Sequence, residues 1–315
     1  MSTKNSVAVV GSLNRDIILQ ITNLPLAGET IHTQKAVSYA FGGKGSNQAV
    51  SCARNGSQVA MIGCLGQDSH GDEFKQMLQK NEINHRFVKQ LPNENTGQAY
   101  ILLQSSGQNS IVVSAEANHL LTPQMVQDSE SVIQEAQFVL AQFEVLLPAI
   151  VEAFSLARAN QAKTVLNPGP VIEADFDYLY ALTDIIIPNE TESEKLTGIT
   201  IKDNQTLSES AEFFHQKGIE VVIITLGKAG VYYSNRKRQD SGKIAAHVVK
   251  AIDTTAAGDT FIGALLSQLA LDYQNLSEAI AYANFASSLA VQKLGAVDSI
   301  PTEKEVKSKI KKLNS

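Results

Sequence analysis

Five short runs of consecutive apolar residues limit what this chain can fold into: Val7-Ala8-Val9-Val10, Phe138-Val139-Leu140, Thr164-Val165-Leu166, Ile185-Ile186-Ile187 and Val221-Val222-Ile223-Ile224. None alternates apolar with polar positions. A strand without a polar face must be covered on both sides, which is the condition of a parallel sheet held between helices. Helix-patterned segments between the runs, such as residues 209–217, supply the cover. The expected class is α/β, with a three-layer α/β/α core around a mostly parallel central sheet.

Two segments break the pattern. Over residues 16–21, Ile17, Leu19 and Ile21 alternate with their neighbours. Residues 96–113 read as a hairpin, with Ala99, Ile101 and Leu103 alternating before a turn at Ser105-Ser106-Gly107 and a second strand over 111–113. Alternation means one dry face and one face that is wet or covered by a partner. These segments predict a small β-sheet lid, with strands from about 15–40 and 96–114, inserted into the α/β core. The whole chain, 1–315, is read as one catalytic domain, since its length fits one large α/β unit with an appendage.

Charge and cysteine content narrow the function classes. Twenty-six basic against 32 acidic side chains leave a net charge of -6, which disfavours non-specific nucleic-acid binding. Two cysteines, Cys52 and Cys64, both in apolar surroundings, read as buried thiols of a protein in the reducing cytoplasm. The N-terminal residues show no leader, and no stretch is long and apolar enough to span a membrane.

Polar clusters follow the apolar runs, where open α/β sheets bind ligands. The richest is Asp253-Thr254-Thr255-Ala256-Ala257-Gly258-Asp259-Thr260, which leads into a long apolar helix. Amides at a helix start are unpaired, and small residues let an anion come close, which suits a phosphate in transfer. Asp259 is then either a helix cap, worth about 1 kcal/mol, or a base for an attacking hydroxyl. In Phe41-Gly42-Gly43-Lys44-Gly45-Ser46-Asn47-Gln48-Ala49, glycines allow close backbone approach, and Lys44 points to a polar ligand; a tight connector is the other reading. Asn14 and Asp16, after Gly11, either chelate sugar hydroxyls or close an Asx-turn. Asn189 reads as an N-cap, with Glu192 suited to a hydrated magnesium ion. Residues 225–230, Thr-Leu-Gly-Lys-Ala-Gly, either cover nucleotide phosphates or turn a hairpin into Val231-Tyr232-Tyr233. The Walker A loop, HExxH, GxSxG and a strand-borne GxGxxG are absent, and the six histidines are scattered, which argues against a zinc cluster.

The segments GSLNRD (11–16), FGGKGSNQA (41–49), NPGP (167–170), PNETE (188–192), TLGKAG (225–230) and DTTAAGDTFIGA (253–264) together resemble the ribokinase-type, or phosphofructokinase-B, carbohydrate kinases, in family order and over almost the whole chain. The resemblance implies a ribokinase-like fold and ATP-dependent phosphorylation of ribose at its 5-hydroxyl. It makes Asp259 the base and the amides of Ala256, Ala257 and Gly258 the anion hole. Ribose is assigned to Asn14, Asp16, Gly43, Lys44, Gly45, Ser46, Asn47 and Glu144, with Asp259. ATP is assigned to Asn189, Thr225, Leu226, Gly227, Lys228, Ala229, Gly230, Gly258, Asp259 and Asn284. Glu192 is linked to magnesium. A monovalent cation, usually potassium, is assigned to Asp253, Thr255, Ala290, Lys293, Gly295 and Ser299. The resemblance also implies a homodimer formed through the lid.

Two positions depart from the family pattern: Ala256 stands where glycine is frequent, and Lys293 where arginine is common. The rivals are a deoxyribokinase, a fructokinase or a nucleoside kinase of the same family, and a non-catalytic sugar-binding protein on the same scaffold. The polar set Asn14, Asp16, Lys44 and Glu144 favours a small free sugar over a nucleoside.

Overall fold

A computed structural model describes residues 4–106 and 108–313. Gly107 of the expected turn and the first three residues lie outside the described part. The strands, in chain order, are β1 Ser6–Val10, β2 Asn14–Ile21, β3 Ser38–Gly42, β4 Gln58–Gly66, β5 Asn84–Leu91, β6 Gly97–Gln104, β7 Asn109–Ser114, β8 Phe138–Gln142, β9 Lys163–Asn167, β10 Ile185–Ile186, β11 Val221–Thr225, β12 Val231–Asn235 and β13 Asp240–Ile244. Nine of them form one sheet in the order β13-β12-β11-β10-β9-β8-β1-β4-β5. From β11 to β5 the neighbours run parallel, and β12 and β13 add an antiparallel edge.

The uninterrupted apolar runs have a direct physical cause. Successive side chains of a strand point to opposite faces. Val7, Val9, Phe138, Leu140, Val165, Ile185, Val221 and Ile223 enter one core, against helices Lys44–Arg54, Ser69–Lys80, Ala257–Gln268 and Leu276–Ala290. Ala8, Val10, Val139, Ala141, Leu166, Ile186, Val222 and Ile224 enter a second core, against Leu147–Ala159 and Asn204–Gln216. Both faces are dry, so a polar residue is admitted only at a strand end with a hydrogen-bond partner, as at Thr164, Gln142 and Asn167. Each fully buried Val, Leu or Ile contributes about 1.5–3 kcal/mol. The α/β class with helices on both faces of a mostly parallel sheet is therefore as read. The helix placed at 209–217 instead spans Asn204–Gln216, because the Asp203 side chain accepts the Thr206 amide and starts it earlier.

The remaining strands form a second, smaller sheet in the order β3-β2-β6-β7. β2 pairs antiparallel with β3 and parallel with β6, and β6 pairs antiparallel with β7. Asn14 pairs with Gly42 and Gly97, and Asp16 pairs with Ala40 and Ala99, so Asn14 and Asp16 share one face. Ile17, Tyr39, Tyr100 and Val112 lie in register on the other face.

Candidate active site

The carboxyl ends of β1, β8, β9, β10 and β11 open on one edge of the large sheet, and the start of helix Ala257–Gln268 faces them. Its N-cap, Ala256, sits at φ 58° with no side-chain cap. That left-handed backbone costs a residue with a Cβ about 1–2 kcal/mol, which explains why glycine is the easier residue there. Ala257 turns its N–H to the carbonyl of Thr254 at 3.2 Å. Of the three amides assigned to an anion hole, those of Ala256 and Gly258 have no partner among the described residues. A Cβ on Gly258 would meet nothing within 4 Å, so the space before it is open.

Asp259 lies in the first turn but does not cap it. Its carboxylate is buried, and two side-chain amides hold it: Asn47 Nδ2 donates to Oδ2 at 3.0 Å, and Gln48 Nε2 to Oδ1 at 2.9 Å. Both donors lie on helix Lys44–Arg54, which starts at Gly43 with φ 90°. A Cβ at Gly43 would come within 2.8 Å of the Asn14 amide, so glycine alone allows this approach. Asn47 Oδ1 is buried without a protein partner.

Glu144, just past β8, ties two loops together. Its Oε2 accepts from the Lys44 amide at 2.9 Å and from Ser12 Oγ at 2.5 Å. Asn14 is fixed by Asn118, whose Nδ2 donates to its Oδ1 at 2.7 Å, and Asn14 forms no Asx-turn. Asp16 is buried with its carboxylate over Gly42. Burial first, then the nearby Glu144 and Asp259, push its carboxyl up from 3.8 to about 7. Burial pulls the Lys44 ammonium down, but Asp259, Glu192 and Glu144 outweigh it and hold Lys44 above its ordinary value. Gly45 packs beneath Ser12, and the Ser46 hydroxyl is spent on the carbonyl of Gly42 at 2.5 Å.

On the far side, Asn189 and Glu192 form a capping box. Asn189 Oδ1 accepts the Glu192 amide and Glu192 Oε2 accepts the Asn189 amide, both at 2.8 Å. Glu192 Oε1 lies against Gly169, on the Lys44 side. A single carboxylate oxygen kept clear of the cap fits a hydrated divalent ion. Residues 225–230 are a hairpin turn and an amide surface at once: Leu226 bonds to Gly230 at 2.8 Å and starts β12, while the amides of exposed Gly227 and Lys228 have no partner among the described residues. Ala229 bonds back to Leu226 at 3.0 Å. Asn284 supports the preceding loop through the carbonyl of Ala245 at 2.7 Å.

The residues assigned to a monovalent cation gather behind the helix start. Asp253 Oδ1 accepts the amide and hydroxyl of Thr255 at 2.9 and 2.6 Å, and its Oδ2 accepts the Gly295 amide at 2.9 Å. Lys293 Nζ turns to Glu305 at 3.3 Å, so its ammonium does not compete with a cation, and this group fits backbone-oxygen ligation. The carbonyl of Ala290 accepts the Lys293 amide at 3.0 Å, and Ser299 Oγ donates to Ala296 at 2.8 Å. Both cysteines are free and buried, and burial pushes each thiol up to about 12. No helix among the described residues is long and apolar enough to cross a membrane.

Sequence reasoning missed Ser12, Gln48, Asn118 and Gln142. Gln48 sits inside the FGGKGSNQA segment, and its place one residue after Asn47 was the available signal.

Comparison with known proteins places the chain in a family. The model of the pfkB family of carbohydrate kinases matches residues 4–303. A ribokinase of Staphylococcus aureus is 43% identical over 302 residues, covering 96% of this chain and 98% of its own. A ribokinase of Haemophilus influenzae is 41% identical, covering 96% and 97%. The structure of Arabidopsis thaliana ribokinase complexed with ribose and ATP superimposes with a TM-score of 0.88 at 30% identity, over 97% of this chain and 98% of that one.

Proposed function

Because the chain belongs to the pfkB family of carbohydrate kinases, we propose that it transfers the γ-phosphoryl group of ATP to O5 of D-ribose, giving ribose 5-phosphate and ADP. The observation that carries this reading is Asp259, a buried carboxylate beside the unpaired amides of Ala256 and Gly258 at a helix start. The amides stabilise charge on the phosphoryl group in an in-line displacement, and Asp259 accepts the proton of the sugar hydroxyl. Asn14, Asp16, Lys44, Asn47 and Glu144 hold the ribose. The buried, unpartnered Asn47 Oδ1 supports this, since it lacks a donor that a sugar hydroxyl can supply.

The unengaged amides of Gly227 and Lys228 support a nucleotide along the β11 end, with Asn189 and Asn284 nearby. Magnesium, when bound, neutralises phosphate charge; Glu192 would hold it. Asp253, Thr255, Ala290, Lys293, Gly295 and Ser299 would hold a potassium ion, which when bound would stiffen the segment leading into helix Ala257–Gln268. The smaller sheet closes over the sugar as a lid and excludes water, which otherwise competes as acceptor. The chain works in the cytoplasm, a reading supported by its two unpaired thiols.

A second copy of the chain covers the outer face of the lid. Tyr39, Tyr100 and Val112 are 58%, 39% and 61% exposed there, in register with Ile17. Val112→Lys is expected to shift sedimentation from dimer to monomer; an unchanged dimer would remove this face from the interface.

The reaction is tested by mass-spectrometric product analysis after incubation with ATP, magnesium, potassium and a panel of sugars. Ribose 5-phosphate is the expected product. A tenfold higher kcat/KM for deoxyribose, fructose or a nucleoside would overturn the substrate assignment.

A further inference from the structure

Three buried carboxamides, Gln48, Gln142 and Asn167, stand behind Asp259, and the resemblance assigns a role to none of them. Gln48 and Gln142 are 0% exposed and Asn167 is 5% exposed. Gln48 Nε2 donates both of its protons, to Asp259 Oδ1 at 2.9 Å and to Asn167 Oδ1 at 3.0 Å. Gln48 Oε1 accepts from Gln142 Nε2 at 2.7 Å. Asn167 Nδ2 donates to the backbone carbonyl of Ile187 at 2.9 Å.

The direction of this chain is fixed from one end. A backbone carbonyl only accepts, so Asn167 must present Nδ2 to Ile187 and Oδ1 to Gln48. Gln48 must answer with Nε2, which leaves its Oε1 facing Gln142. Gln142 must then present Nε2. Its own Oε1 is buried without a partner. A leucine or methionine would fill the end of β8 without stranding an oxygen, so packing does not account for Gln142. Locking Gln48 does.

We infer that Gln48, oriented by Asn167 and Gln142, is a positioning residue for the catalytic carboxylate. With Asn47 on Oδ2 and Gln48 on Oδ1, the plane of the Asp259 carboxylate is set from two sides, and each oxygen keeps a lone pair with which to accept from a hydroxyl. Asn47 is free at its other end and can adjust to the sugar; Gln48 has every polar atom engaged and cannot. Gln48 therefore defines the orientation, and preset geometry of this kind is where small misalignments become large losses of rate.

The proposal rests on Asp259 being the base, and steady-state kinetics with ribose calorimetry keep the two apart. Gln48→Met, close in volume but without N–H groups, is expected to lower kcat roughly 10²-fold while ribose Kd and KM stay within about threefold. Gln142→Met should lower kcat less, and the double variant should match Gln48→Met alone, because Gln142 acts only through Gln48. Additive losses, a matching rise in ribose Kd, or a kcat within about threefold of the parent would each defeat the positioning role. Should Gln48→Met not fold, Gln142→Met on its own carries the test: a lowered kcat at unchanged ribose Kd supports the role, and an unchanged kcat ends it. Gln48→Met at parental kcat beside an inactive Asp259→Asn sinks the positioning role alone. An active Asp259→Asn sinks the base assignment, and this inference with it.

Discussion

Asp259→Asn is expected to bind ribose and ATP almost as the parent does and to turn over roughly 10³-fold more slowly. The structure gives a reason to expect an intact fold. Asparagine offers one acceptor and one donor where aspartate offers two acceptors. Gln48 cannot flip, so Oδ1 of the new side chain takes its N–H. The new Nδ2 then faces Asn47, whose Oδ1 has no partner now and can rotate to accept it. Both hydrogen bonds survive; the rotated Asn47 then presents Nδ2 in place of Oδ1 to the sugar hydroxyl, which can accept as well as donate, and the basic oxygen is lost. Calorimetry should therefore give near-parental Kd values for both ligands while kcat collapses. Near-normal turnover would remove Asp259 from the chemistry. Equal losses in ribose affinity and kcat would make it a binding residue.

How much of this was legible beforehand depended on how local the signal was. β1, β8, β9, β10 and β11 could be read because their two dry faces force consecutive apolar residues. β4 and β5 could not: β4 mixes Gly63, Cys64 and Gly66 into its run, and β5, on the sheet edge, carries His85, Arg86, Lys89 and Gln90. The helix start at Ala256 could be read because small residues before an apolar helix form a continuous pattern. Even there, the sequence could not show that Ala257 spends its N–H on Thr254 while its neighbours do not.

Where two readings of one segment stood open, the structure often holds both. Asn189 is an N-cap, and its partner Glu192 still keeps one oxygen for the cleft. The turn at 225–230 makes a hairpin and presents free amides. For Asp259 the cap reading fails, since its oxygens face Asn47 and Gln48 rather than its own helix. The amide chain behind it left no pattern to read. Gln142 meets Gln48 across 94 positions and Gln48 meets Asp259 across 211, and a lone glutamine inside an apolar segment looks the same whether it packs or positions.

Asp16→Asn should give a more stable protein that holds ribose roughly 10²-fold more weakly. The carboxyl of Asp16 titrates at about 7 in the folded chain against an ordinary 3.8, chiefly because it is buried and then because Glu144 and Asp259 face it. A carboxyl raised in this way binds more protons folded than unfolded between those two values. Its ionisation therefore subtracts stability as pH rises from about 4 to 7, and the full cost remains above 7. At about 1.4 kcal/mol per tenfold change in proton affinity, that cost is roughly 4 kcal/mol. The carboxamide of the variant does not titrate, so its Tm gain over the parent should be smallest near pH 4 and larger by at least about 5 °C at pH 8. The cost has a purpose if two sugar hydroxyls donate to the ionised carboxylate. Charged hydrogen bonds of about 1.5–3 kcal/mol each make the loss of ribose affinity in the variant roughly 10²-fold or more. The parent's affinity should also fall as pH drops below 7, because the free site then holds a proton that ribose must displace. A flat ribose affinity between pH 5 and 8, or a variant that is no more stable than the parent at pH 8, would mean that Asp16 is not the ionised sugar ligand its burial suggests.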